Sequence, residues 1–158
     1  MKKFINSFLL LVSLILFSNC GYKALDGLET KKVNYKEIRT YGDKRINFKI
    51  KNNLIFENSN KQGKNIILEI STNKKKTVKE KNIKNEITKY EINLIARVDL
   101  DFLETGKKTG FKVETNGNYT VSDKYSTTLK NEKRLIEDLT NDISNKIKQE
   151  INLIINDL

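Results

Sequence analysis

The chain has 158 residues, 32% of them charged and 37% hydrophobic, a net charge of +10, a single Cys and no His, Pro or Trp. One cysteine excludes an intrachain disulfide, and the lack of His removes the commonest general base and metal ligand. Of the 30 basic residues 26 are Lys, which argues against a nucleic-acid partner, because guanine readout and base stacking favour Arg. Met1, Lys2 and Lys3 precede an apolar run over residues 4–17 that only Asn6, Ser7 and Ser13 interrupt, the charged-then-apolar layout of a signal peptide. The run is shorter than the roughly 20 residues a transmembrane helix needs, so cleavage is expected.

Cys20 stands where that segment would be cut. Leu16-Phe17-Ser18-Asn19-Cys20-Gly21 resembles a bacterial lipobox, which implies acylation of the Cys20 thiol and, after cleavage, of its amine. Asn19 departs from the pattern, which has Gly, Ala or Ser before the cysteine. Ordinary cleavage after Cys20, with Ser18 and Cys20 as the small residues, is the alternative. With about 0.8 kcal/mol per buried methylene, two or more acyl chains hold a protein on a membrane stably. The expected organisation is a signal peptide over 1–19, a lipidated N-terminus and leader over 20–34, and one domain over 35–158. Residues 130–158 hold five basic and six acidic side chains, so the positive excess behind the signal peptide lies in 21–129. Acidic partners are expected there, although a Lys- and Asn-rich composition also fits drift on a solvated surface.

Residues 35–41 alternate as a short strand, and Gly42-Asp43 supplies a turn in which Asp43 can cap a helix. Over 44–56, Ile46, Ile50 and Leu54 fit a helical period while Ile46, Phe48 and Ile50 fit a strand; the length favours the helix. Residues 58–64 read as a loop and 65–72 as a β-rich run, followed by a polar stretch over 73–84 that separates it from the next element. Over 87–102, Tyr90, Ile92, Leu94, Ala96, Val98, Leu100 and Phe102 alternate with polar residues, the period of a strand with one buried face. Gly106 and Gly110 mark a hairpin loop, and the return strand starts at Phe111 and extends towards Val121, with Gly117 permitting a bulge. Leu135, Leu139, Ile143, Ile147, Ile151, Ile154 and Leu158 then repeat at three or four, an amphipathic helix capped by Thr128 or Asn131. Covering the sheet is its default role, and lying on a membrane is the alternative, which its acidic polar face opposes. The order predicts an α+β fold, a two-layer sandwich of a roughly four-stranded mixed sheet with two helices on one face.

An enzyme is not expected. Cys20 is reserved for acylation, no Ser sits in a nucleophile elbow or phosphate loop, and Asp99 and Asp101 share the solvated side of a strand. No cofactor and no metal site is expected either. The feature with binding chemistry is the basic run Lys74, Lys75, Lys76, Lys79, Lys81 and Lys84, together with Lys107 and Lys108 in the next loop. Lys74, Lys75, Lys76, Lys107 and Lys108 are the candidate contacts for lipopolysaccharide or another anionic lipid, since ammonium groups bind phosphates as point charges. If the second and third strands pair, the two clusters fall at opposite ends of the long strand and form two sites.

The start Cys20-Gly21-Tyr22-Lys23, the short strand and helix, the long alternating hairpin and the final helix resemble the LPS-assembly lipoprotein LptE family. The stretch Tyr119-Thr120-Val121-Ser122-Asp123-Lys124-Tyr125-Ser126, with an Ile- and Asp-rich helix behind it, carries the likeness most closely. The resemblance implies a lipid anchor on the periplasmic side of the outer membrane, with which Gly21 after the cysteine agrees. It also implies an LptD-like partner, the outer-membrane β-barrel that inserts lipopolysaccharide, which the lipoprotein plugs and helps assemble, and contact with lipopolysaccharide itself. A lipoprotein accessory of an ABC-type lipid transporter and a structural surface lipoprotein are the alternatives.

Overall fold

The computed structural model describes residues 33–55 and 63–157; the signal segment, Cys20 and the leader as far as residue 32 lie outside the described residues. Four strands, β1 (Val33–Tyr41), β2 (Lys64–Lys81), β3 (Ile87–Phe102) and β4 (Lys108–Thr120), form one sheet in the order β1-β2-β3-β4. The ladder is parallel between β1 and β2 and antiparallel elsewhere, a mixed sheet. A parallel pair needs a crossover, and helix α1 (Lys44–Ile55) provides it. Helix α2 (Tyr125–Asn156) follows β4, completing the α+β architecture expected from the sequence.

Burial decides the ambiguity over 44–56. Ile46, Ile50 and Leu54 are buried at helical spacing, while Phe48, which a strand would have placed with Ile46 and Ile50, is 66% exposed. The helix starts where expected, because Asp43 Oδ1 accepts the backbone N–H groups of Arg45 (3.0 Å) and Ile46 (3.2 Å), two of the donors a helix start leaves orphaned. Gly42 before it has φ +104°, and a Cβ there would lie 2.1 Å from the Thr72 carbonyl oxygen, so only glycine fits.

The helix-bearing face of the sheet is the core. Ile66, Leu68 and Ile70 of β2 and Ile92, Leu94, Ala96, Val98 and Leu100 of β3 are buried, as the alternation predicted. Leu139, Ile143, Ile147, Ile151 and Ile155 of α2 lie over them. Each such side chain removed from water stabilises the fold by about 1.5–3 kcal/mol. Two buried hydroxyls on α2 are satisfied within the helix, Thr140 donating to Ile136 O (2.6 Å) and Ser144 to Thr140 O (2.7 Å).

Three local expectations are corrected. The polar stretch after residue 72 is not a separator but a continuation of β2 as far as Lys81, with Lys74, Lys75 and Lys76 opposite Leu94, Asn93 and Ile92. Ladder hydrogen bonds need no apolar side chains, and β1 stops opposite Ser71, so beyond it the outer edge of β2 meets no strand among the described residues and tolerates lysines. Gly117 makes no bulge, since the β3–β4 register runs unbroken through Ile92↔Gly117; a Cβ there would sit 2.6 Å from Leu135 Cδ1, so this glycine admits the helix. Finally, α2 begins at Tyr125, and its N-cap, Lys124, makes no side-chain cap hydrogen bond. Thr128 and Asn131 are inside the helix and fasten it to the end of β4: Thr128 Oγ1 accepts from Ser122 N (2.9 Å) and Asn131 Nδ2 donates to Thr120 O (3.1 Å). Among the described residues, no helix is long and apolar enough to cross a membrane.

Candidate functional site

The candidate lysines divide into two groups: Lys74, Lys75 and Lys76 stand opposite the middle of β3, not its first end, and Lys107 and Lys108 stand at its far end. Lys76 stands opposite Ile92, whereas Lys108 stands opposite Asp101, a separation of about 30 Å at the rise of a strand. The first group does not converge. Because side chains alternate along a strand, Lys74 and Lys76 turn towards the helices while Lys75 projects from the other face. Lys74 Nζ pairs with Asp43 Oδ2 at 3.1 Å, and Lys76 Nζ pairs with Glu132 Oε2 at 2.9 Å. Lys75 is exposed. At the far end Lys107 is exposed in the turn and Lys108 pairs with Asp101 at 3.1 Å.

Sequence reasoning missed the small cluster around Lys76. Its ammonium lies 4.4 Å from the ring centroid of Tyr90 and 5.2 Å from that of Tyr119, and the two rings stack at 5.6 Å. The Tyr119 hydroxyl donates to the same Glu132 oxygen at 2.9 Å. One cation, two aromatic faces and one carboxylate thus tie β2, β3, β4 and α2 together. The signal available in the sequence was Tyr119 falling on the buried phase of the return strand. Its partners lie on other elements and had no sequence mark.

Burial disfavours both charges of this pair, and in both cases the partner wins. Hydrogen bonding to Tyr119 and Glu132 holds Lys76 above its ordinary pKa, and Lys76 and Tyr119 hold Glu132 below the usual carboxylate range. Asp43 is likewise held low, against burial, by the Ile46 N–H, Lys74 and the Arg45 N–H, and Asp142 is lowered by the Thr115 hydroxyl and by Lys146. Depressed carboxylates stabilise the fold above their unfolded pKa of about 4 and lose that contribution as pH falls through their lower folded values. The raised Lys76 contributes fully below about pH 10.4 and loses its share as pH rises through its folded value. Urea midpoints are therefore expected to stay level from about pH 5 to 9 and to fall below about pH 4. Glu132→Gln should lower the plateau and make that acid fall shallower; an unchanged acid slope would show that the pair contributes nothing.

The face of the sheet opposite the helices is polar. Arg39 bridges Glu37 (2.8 Å) and Glu69 (3.0 Å), and next to it a shallow depression of about 450 Å³ is lined by Ile67, Asp99, Asp101 and Lys108. Asp99 and Asp101 lie on this face, as their spacing predicted. Between the helices, a groove of about 290 Å³ is floored by Ile46 and Ile136 and flanked by the Lys49–Glu137 pair at 2.6 Å.

No protein-family model matches the chain, and no curated protein matches it. Solved structures do match it in fold. The rare lipoprotein B from Shewanella oneidensis aligns with a TM-score of 0.57 at 10% identity, covering 73% of this chain and 92% of that one. An uncharacterized lipoprotein B from Nitrosomonas europaea aligns with a TM-score of 0.57 at 9% identity, covering 79% of this chain and 87% of that one. A minor lipoprotein from Acinetobacter baumannii aligns with a TM-score of 0.53 at 13% identity, covering 78% and 94%. The domain therefore has the fold of solved bacterial lipoproteins.

Proposed function

We propose that this chain is an outer-membrane lipoprotein, anchored through Cys20 on the periplasmic side, that plugs and helps assemble the β-barrel translocon delivering lipopolysaccharide to the cell surface. The observation that carries the reading is the strand–helix–three-strand–helix order, which is the order behind the family resemblance and aligns over 92% of the rare lipoprotein B chain. Cys20 at the end of a signal-like segment supports the anchor independently of the fold. The role is binding and scaffolding, and no catalysis is part of it. Of the candidate lipopolysaccharide contacts, Lys75 and Lys107 are the ones exposed and without an ion pair among the described residues, so direct binding draws first on them.

The test is recovery of the native chain from membranes. A stable complex with a large outer-membrane barrel is expected. Recovery with inner-membrane transport components would favour the transporter accessory, and no barrel at all would end the plug reading. Cys20→Ser should leave the domain folded but release it into the periplasmic fraction, and retention on the membrane would count against the anchor.

A further inference from the structure

The hairpin joining β2 and β3 presents an apolar side chain that the fold does not use. Ile83 is 104% exposed, beyond every other large hydrophobic residue of the described chain. The turn that carries it is not loose. Asn82 organises it: its Oδ1 accepts from the backbone N–H of Lys84 and of Glu86, both at 2.9 Å, its Nδ2 donates to Glu86 Oε2 at 2.7 Å, and its N–H meets Glu86 O at 2.9 Å. Asn85 closes the turn in the left-handed region, φ 62°, and takes a hydrogen bond from Lys81 at 3.0 Å. A turn held by this many polar contacts fixes Ile83 in water, where it contributes nothing to the core.

The charges beside Ile83 are mainly basic, with Glu86 engaged by Asn82 and Glu80 by Lys89. Lys81 and Lys84 flank it, and neither makes an ion pair among the described residues, in contrast to Lys79 and Lys89, which pair with Glu91 and Glu80. The start of α2 lies at the same end of the sheet, since Val121 N–H donates to Thr88 O at 2.9 Å just before the helix begins. It adds Tyr125, 75% exposed, together with Lys124 and Lys130. This end of the molecule thus combines two separate exposed anchors, one aliphatic and one aromatic, with ammonium groups that make no ion pair among the described residues.

We infer that the 82–86 turn and the start of α2 form a docking surface for an anionic phospholipid bilayer, with Ile83 entering the interface. Anchors that are single side chains on two different elements, set among lysines, favour a bilayer over a protein. A stable protein interface needs about 800 Å² of complementary surface per partner, whereas a bilayer interface accepts single apolar side chains, takes Tyr at the level of the headgroups and lets Lys reach the phosphates. Each lysine near an anionic surface strengthens partition by about fivefold. Such a contact would be a second, reversible attachment, independent of Cys20.

Residues Lys31–Leu158 form one compact unit that contains the whole sheet and both helices, so this unit is the appropriate probe. It is expected to sediment with vesicles of phosphatidylcholine plus phosphatidylglycerol, weakly with phosphatidylcholine alone, and less in high salt. Ile83→Asp should lower the affinity by about tenfold or more, as should Lys81→Glu with Lys84→Glu. Lys51→Glu with Lys64→Glu makes the same charge change at the opposite end of the sheet, where β1 and β2 begin, and should leave binding near wild type. In Ile83→Trp, the emission should shift to the blue on adding anionic vesicles. Absent vesicle binding, an equal loss in the Lys51 and Lys64 control, or unshifted emission would each overturn the inference. Capture on immobilised polyglutamate without vesicle binding would also overturn it, by assigning this end to an acidic protein. No barrel is present in the vesicles, so failure here and failure of the plug reading are distinguishable.

Discussion

Gly42→Ala is expected to cost the domain about 4 kcal/mol of stability, read as a lower urea midpoint at unchanged slope. Two penalties coincide at this position. The backbone at φ +104° is one that residues with a Cβ adopt only under strain, and the added methyl would lie 2.1 Å from the Thr72 carbonyl oxygen. Nothing nearby yields cheaply. The obstructing atom belongs to β2 rather than to a flexible side chain, Tyr41 just before the glycine is in register with Ser71, and Asp43 just after it caps α1 and pairs with Lys74. Relief of the clash must disturb either the parallel ladder or the cap. A cost below about 1 kcal/mol would show that the turn swings free and that the β1–α1 junction is not anchored as described.

Ile147→Ala should cost about 2–5 kcal/mol, against a total of about 5–15 kcal/mol for a domain of this kind. Ile147 has 0% exposure, midway along α2 between Ile143 and Ile151, which are equally buried. Truncation removes apolar contacts and leaves a cavity that a helix held on both sides of the site cannot close. Leu153 on the same helix is the internal comparison: it is 54% exposed, and Leu153→Ala should change stability by no more than about 0.5 kcal/mol. Similar losses at the two positions would mean that α2 is not seated on the sheet by this stripe.

The contrast between those two positions was legible in the sequence, because a helix covering a sheet must repeat its apolar residues at three or four. The alternation over 87–102 likewise announced β3. Harder to read were elements whose side chains carry no burial signal. The distal half of β2 is a largely polar, Lys-rich strand because its backbone pairs with β3 while its outer edge beyond Ser71 meets no strand among the described residues. The first turns of α2 are helical without an apolar stripe, fastened through Thr128 and Asn131. In both places backbone hydrogen bonding sets the structure, and hydrophobic periodicity is silent about it.

Local chemistry by itself determined the position of Cys20 behind an export-like segment, the α+β class and the order of the elements. These depend on composition, period and turn residues close together in the chain. Only the tertiary structure decided that β1 runs parallel to β2, and that Lys74 and Lys76 are held by Asp43 and Glu132 while Lys75 faces the other way. It also decided that Lys76 lies against Tyr90 and Tyr119, and that Lys74 to Lys76 stand opposite the middle of β3 while Lys108 stands at its end. The physical reason is that strand pairing joins residues far apart in sequence and alternation sends neighbours to opposite faces, so a run of adjacent lysines becomes a site only where the register brings their ammonium groups together.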